Sequence, residues 1–222
     1  MSTYINSNLS NSNFTNADLT NYKFNNCNLS GCNFTFANLT NVSFEDSNLS
    51  NSIFNNTILN NTNLSNSNLY HISSLNIKTS NVILSTNYKI INNYIFGPNV
   101  NLTNADLSNN DLTNLDFNDI ILINANLSNC NLSNTKINKS NLSKINLSNA
   151  NLTNTNITYT NLSDSNITSS LFCNTKIYYS NILNMDILNN KNIDIFESYP
   201  RNLIINYKHN NENIKRLFKK RN

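Results

Sequence analysis

Three aspartates spaced five apart, Asp106, Asp111 and Asp116, are the most regular set of candidate ligands in the chain, and a carboxylate row at fixed pitch is what a hard cation such as calcium would need. Glu45-Asp46 is the one adjacent acidic pair that could divide general-acid and general-base roles between two carboxylates. Cys27, Cys32, Cys130 and Cys173 supply thiols, but without the close paired spacing of a metal site. The two histidines, His71 and His209, stand in unrelated contexts, and two glycines cannot build a phosphate-cradling loop. No nucleophile, base and orienting group converge in this sequence, so the expectation is a non-enzyme that needs no metal or cofactor.

The elements that would position these groups follow from one repeat. From Leu9 to Leu69 a Leu or Phe recurs at every fifth residue, and two positions before most of them sits Ala, Ser, Thr or Cys. A period of five is neither the 3.6 of a helix nor the 2 of a plain strand, and it points to a repeat architecture. If each pentad is one short side of a coil, the Leu or Phe anchor and the small residue two before it face inward, and the Asn or Asp between them faces out. Leu and Phe alternate, so a twenty-residue, four-sided coil stacks Phe14 on Phe34 on Phe54, Phe24 on Phe44, and Leu9 on Leu29 on Leu49. A fifteen-residue coil would break every one of these ladders. In the four-sided coil Asp106, Asp111 and Asp116 occupy outward slots on three successive sides, so they do not stack into a cation ladder. Cys27, Cys32 and Cys130 fall in the inward small slot and act as small hydrophobes, while Cys173 faces out.

Ala17-Asp18-Leu19, Ala37-Asn38-Leu39, Ala105-Asp106-Leu107, Ala125-Asn126-Leu127 and Ala150-Asn151-Leu152 carry a resemblance to the pentapeptide-repeat family, whose pattern is Ala, Asp or Asn, Leu, then two variable residues. The resemblance implies an all-β fold, a right-handed quadrilateral parallel β-helix. It also brings in the family's best-known activity, DNA mimicry by acidic members that bind type II topoisomerases such as gyrase.

Along the chain, the phase breaks after Leu69, and residues 70–74 are expected to bulge from a corner with His71 exposed. Residues 83–99 lose the motif, and read either as a degenerate coil or as a projecting loop with Gly97-Pro98 as its return turn. The second array runs from Leu102 to Ile187, with larger residues (Val100, Leu115, Ile120, Ile145, Met185) at the small slot, where a coil must widen or turn them out. Residues 1–192 are thus expected to form the β-helix.

Residues 193–222 differ in kind and read as a capping and dimerisation segment. Phe196, Tyr199, Leu203, Ile205, Leu217 and Phe218 are its candidate interface, joining two copies into a homodimer. Asn210 or Asn211 is placed to cap a short α-helix with Ile214, Leu217 and Phe218 on one face. Lys215, Arg216, Lys219, Lys220 and Arg221 form a candidate contact for an acidic partner, and the only expected route to nucleic acid.

Asn makes up 59 of the 222 residues. Periodicity argues for ordered amide ladders rather than a disordered polar tract. With no leader-like opening and no long apolar run, the expectation is a cytoplasmic protein that does not cross a membrane. Residues 1–200 hold eight Lys and eleven Asp or Glu, far below the charge density of a duplex, about one per 1.7 Å. The favoured function is a non-enzymatic scaffold that binds an unknown protein partner. DNA mimicry at a topoisomerase is the alternative, and recognition of ice or carbohydrate by Ser/Thr columns such as Ser10-Ser30-Ser50 or Thr20-Thr40 is a third.

Overall fold

Every fifth residue turns the chain through a left-handed corner. In the computed structural model, which describes residues 2–185, residue 187 and the backbone of 193–196, the second residue after each anchor has φ near +60° from Asn6 to Asn81, and again from Asn99 to Asn184. Asn tolerates this region better than other non-glycine residues, and most of these corners are Asn.

The other four slots each have a job. The anchor fills the interior. The small residue two before it also points inward, and its hydroxyl or thiol commonly donates to an anchor carbonyl of the preceding coil: Ser52 to Leu29 at 2.8 Å, Thr62 to Leu39 at 2.9 Å, Cys130 to Leu107 at 2.9 Å, while Thr57 and Thr135 donate to Phe54 and Leu132 of their own coil. The intervening Asn or Asp accepts the backbone N–H two residues on, as Asn8 does from Ser10 and Asn146 from Ser148, closing an Asx turn. Backbone bonds join each coil to the next, with Leu29 N–H donating to Asn48 and Asn48 N–H donating back to Cys27.

The chain forms two compact units, Met1–Leu102 and Thr103–Asn222. In the first, residues pair in parallel at twenty-residue intervals, as Asn28 does with Asn8 and Asn48, which fixes four sides per coil. Two short strands of its coils, β1 (Asn63–Leu64) and β2 (Ile83–Leu84), are themselves parallel. Phe14, Phe34 and Phe54 stack at 5.1 and 5.0 Å between ring centroids, and Tyr4, Phe24 and Phe44 at 5.3 and 5.4 Å. The two ladders meet edge to face inside the coil, Phe34 against Phe44 at 70°. Phe24, Phe34, Phe44, Phe54, Leu29 and Leu49 are fully buried, whereas Leu9 and Phe14, in the first coil, are only half-buried because no coil of the described chain covers their outer side.

The expected bulge at 70–74 does not exist. Ser73 pairs with Ile53, and Lys78 with Ile58, in unbroken twenty-residue register. Large and small residues exchange slots instead: Ile72 and Ile77 sit in the small slot, Ser74 and Thr79 in the anchor slot, and Ile72, Ser74 and Ile77 are buried. Summed volume per side is roughly conserved, which a core tolerates well. His71 accordingly occupies an ordinary corner at φ 55°, half-buried against the Tyr70 ring at 3.9 Å.

Residues 85–99 are neither of the two expected alternatives. β3 (Lys89–Ile91) and β4 (Tyr94–Phe96) form an antiparallel hairpin, turned by Asn92-Asn93, both at positive φ, the backbone a two-residue hairpin requires. Tyr94, Ile95 and Phe96 are buried, and the Ser74 hydroxyl receives the Ile95 N–H at 2.9 Å. Gly97 lies beneath Tyr88, where a Cβ would stand 2.3 Å from the ring. Asn101 then pairs with Ser73, so the insertion adds eight residues to one coil.

In the second unit one side is a regular parallel sheet: β5 (Asp116–Asn118), β6 (Lys136–Asn138), β7 (Asn156–Thr158), β8 (Thr175–Tyr178) and β9 (Ile193–Phe196). The last step is two residues short, since Thr175 pairs with Ile193. Ile120, Ile145 and Met185 point inward and are buried, as Val100 is in the first unit, while Leu115 is half-buried. The expected helical cap, with Tyr199, Leu203, Ile205, Leu217, Phe218, Lys215, Arg216, Lys219, Lys220 and Arg221, lies outside the described residues, as does the Phe196 side chain. Among the described residues no helix is long and apolar enough to cross a membrane.

Candidate interaction surface

The groups singled out for chemistry are kept apart by the coil. Asp106 and Asp111 each accept the backbone N–H two residues on, at 3.1 Å, and lie on different sides. The Ser108 bonds, side chain first, together with Asn126, hold the Asp106 carboxyl below its ordinary range, and the hydroxyl and N–H of Thr20 do the same for Asp18. Asp46 is a corner residue at φ 58°, and Glu45 faces Asn25, whose amide reaches it at 3.5 Å. Among the described residues no three His, Cys, Asp or Glu gather as a metal cluster would. Cys27, Cys32 and Cys130 are buried free thiols and Cys173 is half-buried. Burial pushes the Cys32 and Cys130 thiols up.

The outward polar groups bond to one another along the coils. Asn28 donates to Asn8 at 3.1 Å, Asn48 to Asn28 at 3.3 Å and Asn68 to Asn48 at 3.1 Å. Corner amides do the same through Asn21, Asn41 and Asn61, both bonds at 3.0 Å, and in the second unit Asn146 joins Asn126 at 2.9 Å. The threonine columns are engaged as well, the Thr40 hydroxyl donating to the Asn38 side chain beside it at 2.7 Å. The surface is thus a rigid amide lattice whose donors and acceptors are largely spent on each other.

Large apolar side chains interrupt that lattice at a few points. Phe36, Tyr159 and Tyr179 occupy corner slots at φ 60°, 53° and 54° and stand well exposed. Sequence reasoning missed them because it tracked only the inward slots. The signal was present in the departure from Asn at the second residue after an anchor.

Two family models match this sequence, one described as a pentapeptide repeat region over residues 1–82, the other as pentapeptide repeats, eight copies, over residues 101–138 and 130–168. The chain belongs to the pentapeptide-repeat family, and its fold is the right-handed quadrilateral parallel β-helix. Among solved structures it is similar to HetL, a pentapeptide repeat protein involved in heterocyst differentiation regulation from the cyanobacterium Nostoc sp. strain PCC 7120, at 17% identity over 89% of this chain and 85% of that one, with a TM-score of 0.36. It is also similar to QnrB1, a plasmid-mediated fluoroquinolone resistance protein, at 15% identity over 89% and 88%, with a TM-score of 0.33. A pentapeptide repeat protein from the Arabidopsis thaliana thylakoid lumen matches at 19% identity over 63% and 64%, with a TM-score of 0.27. No curated protein matches the sequence.

Proposed function

We propose that the protein is a non-enzymatic scaffold that binds a protein partner through its rigid outer faces. The observation that supports this reading is the lateral bonding of the surface: side chains such as Asn28, Asn48 and Asn68 bond along the column instead of converging on a point where a substrate could react. Such a lattice presents fixed shape at little further entropic loss on binding. The neutral faces weigh against DNA mimicry, and the internal bonding of Thr20 and Thr40 weighs against hydroxyl columns as an ice or glycan surface. In this reading the protein works in the cytosol, where free buried thiols such as Cys32 and Cys130 stay reduced, as a homodimer joined through residues 193–222, which carry the apolar side chains Phe196, Tyr199, Leu203, Ile205, Leu217 and Phe218.

Affinity capture with the full chain from the cell that makes it, alongside a hydrolase and transferase panel and a gyrase supercoiling assay, tests this. One protein retained in stoichiometric amount supports the scaffold. Catalysis abolished by a single exposed substitution, or inhibition of supercoiling at low micromolar protein, overturns it. Light scattering of the full chain tests the dimer, and a monomer at tens of micromolar refutes it.

A further inference from the structure

We propose that the corner carrying Tyr159 and Tyr179 is the docking site for an acidic segment of the protein partner. The inference rests on the protein-binding reading above. Both tyrosines hold left-handed backbone at φ 53° and 54°, a region that bulky side chains occupy at a cost and in which strain marks functional positions. The coil does not demand them, since the preceding corners of the same two coils are Asn154 and Asn174. The fold therefore carries two strained aromatics in successive coils where asparagine would serve.

The rings lie 5.0 Å apart between centroids with planes 8° from parallel, and they are 60% and 43% exposed as residues. Parallel rings that close must overlap, because two rings side by side in one plane need more room than one coil step. The pair therefore covers its own inner faces and does not set two rings side by side as one platform. A sugar ring or a nucleobase has no broad face to lie on across the pair, unlike the open stacking platforms that hold single strands. Ring edges carry the positive end of the aromatic quadrupole. Beside them Lys139 occupies the same corner one coil earlier, and Lys136 and Lys176 sit exposed in the outward slots of β6 and β8. The acidic residues of this face stand at its two ends, Asp116 and Asp119 in the β5 coil, two coils from Tyr159, and Asp194 in β9 at the register position of Lys176. An apolar ridge flanked by three ammonium groups fits a peptide that alternates carboxylates with apolar side chains, the lysines steering it and the tyrosines anchoring it.

The test is fluorescence anisotropy of the full chain with a labelled Glu-Leu alternating peptide, beside a Lys-Leu peptide of equal length, oligo(dT) and cellohexaose. The acidic peptide is expected to bind tightest, to weaken with added salt, and to lose tenfold or more in affinity with Tyr159→Asn/Tyr179→Asn, whose melting temperature should equal or exceed that of the parent. Lys139→Glu/Lys176→Glu should weaken the same peptide to a similar degree and leave the melting temperature unchanged. No binding by the parent, preference for oligo(dT) or cellohexaose, or unchanged affinity in the lysine variant overturns the proposal. Running the tyrosine variant through the affinity capture separates the two readings. A partner held equally by variant and parent sinks the Tyr159–Tyr179 site alone, whereas a parent that holds no partner sinks the scaffold reading.

Discussion

The Ser52 hydroxyl donates to the Leu29 carbonyl at 2.8 Å, across one coil boundary and entirely within the core. The same step of twenty-three residues recurs at Thr62, Ser67 and Thr175, which explains why the inward small slot favours Ser, Thr, Cys and Ala together. A small side chain fits beside the anchor, and a hydroxyl or thiol adds a bond to the coil before. Ser52→Ala should cost about 1 kcal/mol, the net worth of one hydrogen bond. Ser52→Leu should cost about 1–3 kcal/mol or more by overpacking. Denaturant titration reads both, and equal losses would mean that neither packing nor bonding is selective at this slot.

Phe34 is fully buried between Phe14 and Phe54, so Phe34→Ala should cost roughly 3–5 kcal/mol. Phe14→Ala, at the half-covered first coil, should cost clearly less. Asn28 faces out, yet it joins Asn8 and Asn48 and caps the Ser30 N–H. Asn28→Ala should therefore lose about 1 kcal/mol rather than behave as neutral surface. Urea midpoints for the three variants should rank in that order.

How far the fold was legible depends on which slot is read. The anchors gave the coil length, because Phe on Phe and Leu on Leu is a constraint between positions twenty apart, and the Phe34–Phe54 stack realises it. The corner was illegible from the inward pattern alone. Asn51 and Tyr159 look like interchangeable outward residues until the backbone shows both in the left-handed region, where one is at ease and the other strained. The apparent break at 70–74 arose from assuming that the anchor must be large, when Ile72 and Ser74 satisfy the same volume in the opposite order. The hairpin at Lys89–Phe96 escapes the choice between coil and loop because its signal, Asn92-Asn93 between Ile90-Ile91 and Tyr94-Ile95-Phe96, has the period of a strand inside a period of five.

Corner chemistry predicts opposite signs for two substitutions. Asn51→Val places a β-branched residue at φ 59° and should cost about 1–2 kcal/mol or more. Phe36→Asn relieves a bulky residue at φ 60° and should hold or raise the melting temperature, although it removes an aromatic side chain. A fall comparable to that of Asn51→Val would mean that Phe36 is structural.

Thiol labelling should divide the four cysteines by slot. Cys173 should react first in the folded protein, while Cys32 and Cys130, whose thiols burial holds above the ordinary range, should wait for unfolding. A group raised on folding stabilises the folded state below its ordinary pKa, and that contribution is lost as pH rises through the raised value. Alkaline conditions above the ordinary thiol range should therefore weaken the protein, and Cys130→Ala should reduce that sensitivity. Iodoacetamide labelling followed by mass spectrometry, with melting curves from pH 7 to 10, checks both halves.

Ser74 links the exchanged pentad to the hairpin, because its hydroxyl receives the buried Ile95 N–H at 2.9 Å while Ile72 fills the space a normal anchor would take. Ser74→Ala leaves that N–H without its acceptor and should cost about 1–3 kcal/mol, the desolvation of one buried donor. Restoring a large anchor with Ser74→Leu should be worse, since Ile72 already occupies the volume and the hydrogen bond is lost as well. The double change Ile72→Ser/Ser74→Leu rebuilds the family pattern within the pentad and should recover the packing part of that loss but not the hairpin bond. Hydrogen exchange at Ile95, read beside global unfolding, separates the two. Faster exchange at Ile95 in the double variant, with global stability close to that of Ser74→Ala, is the expected result, and parent-like protection there would show that the hairpin is held by Tyr94 and Phe96 packing without Ser74.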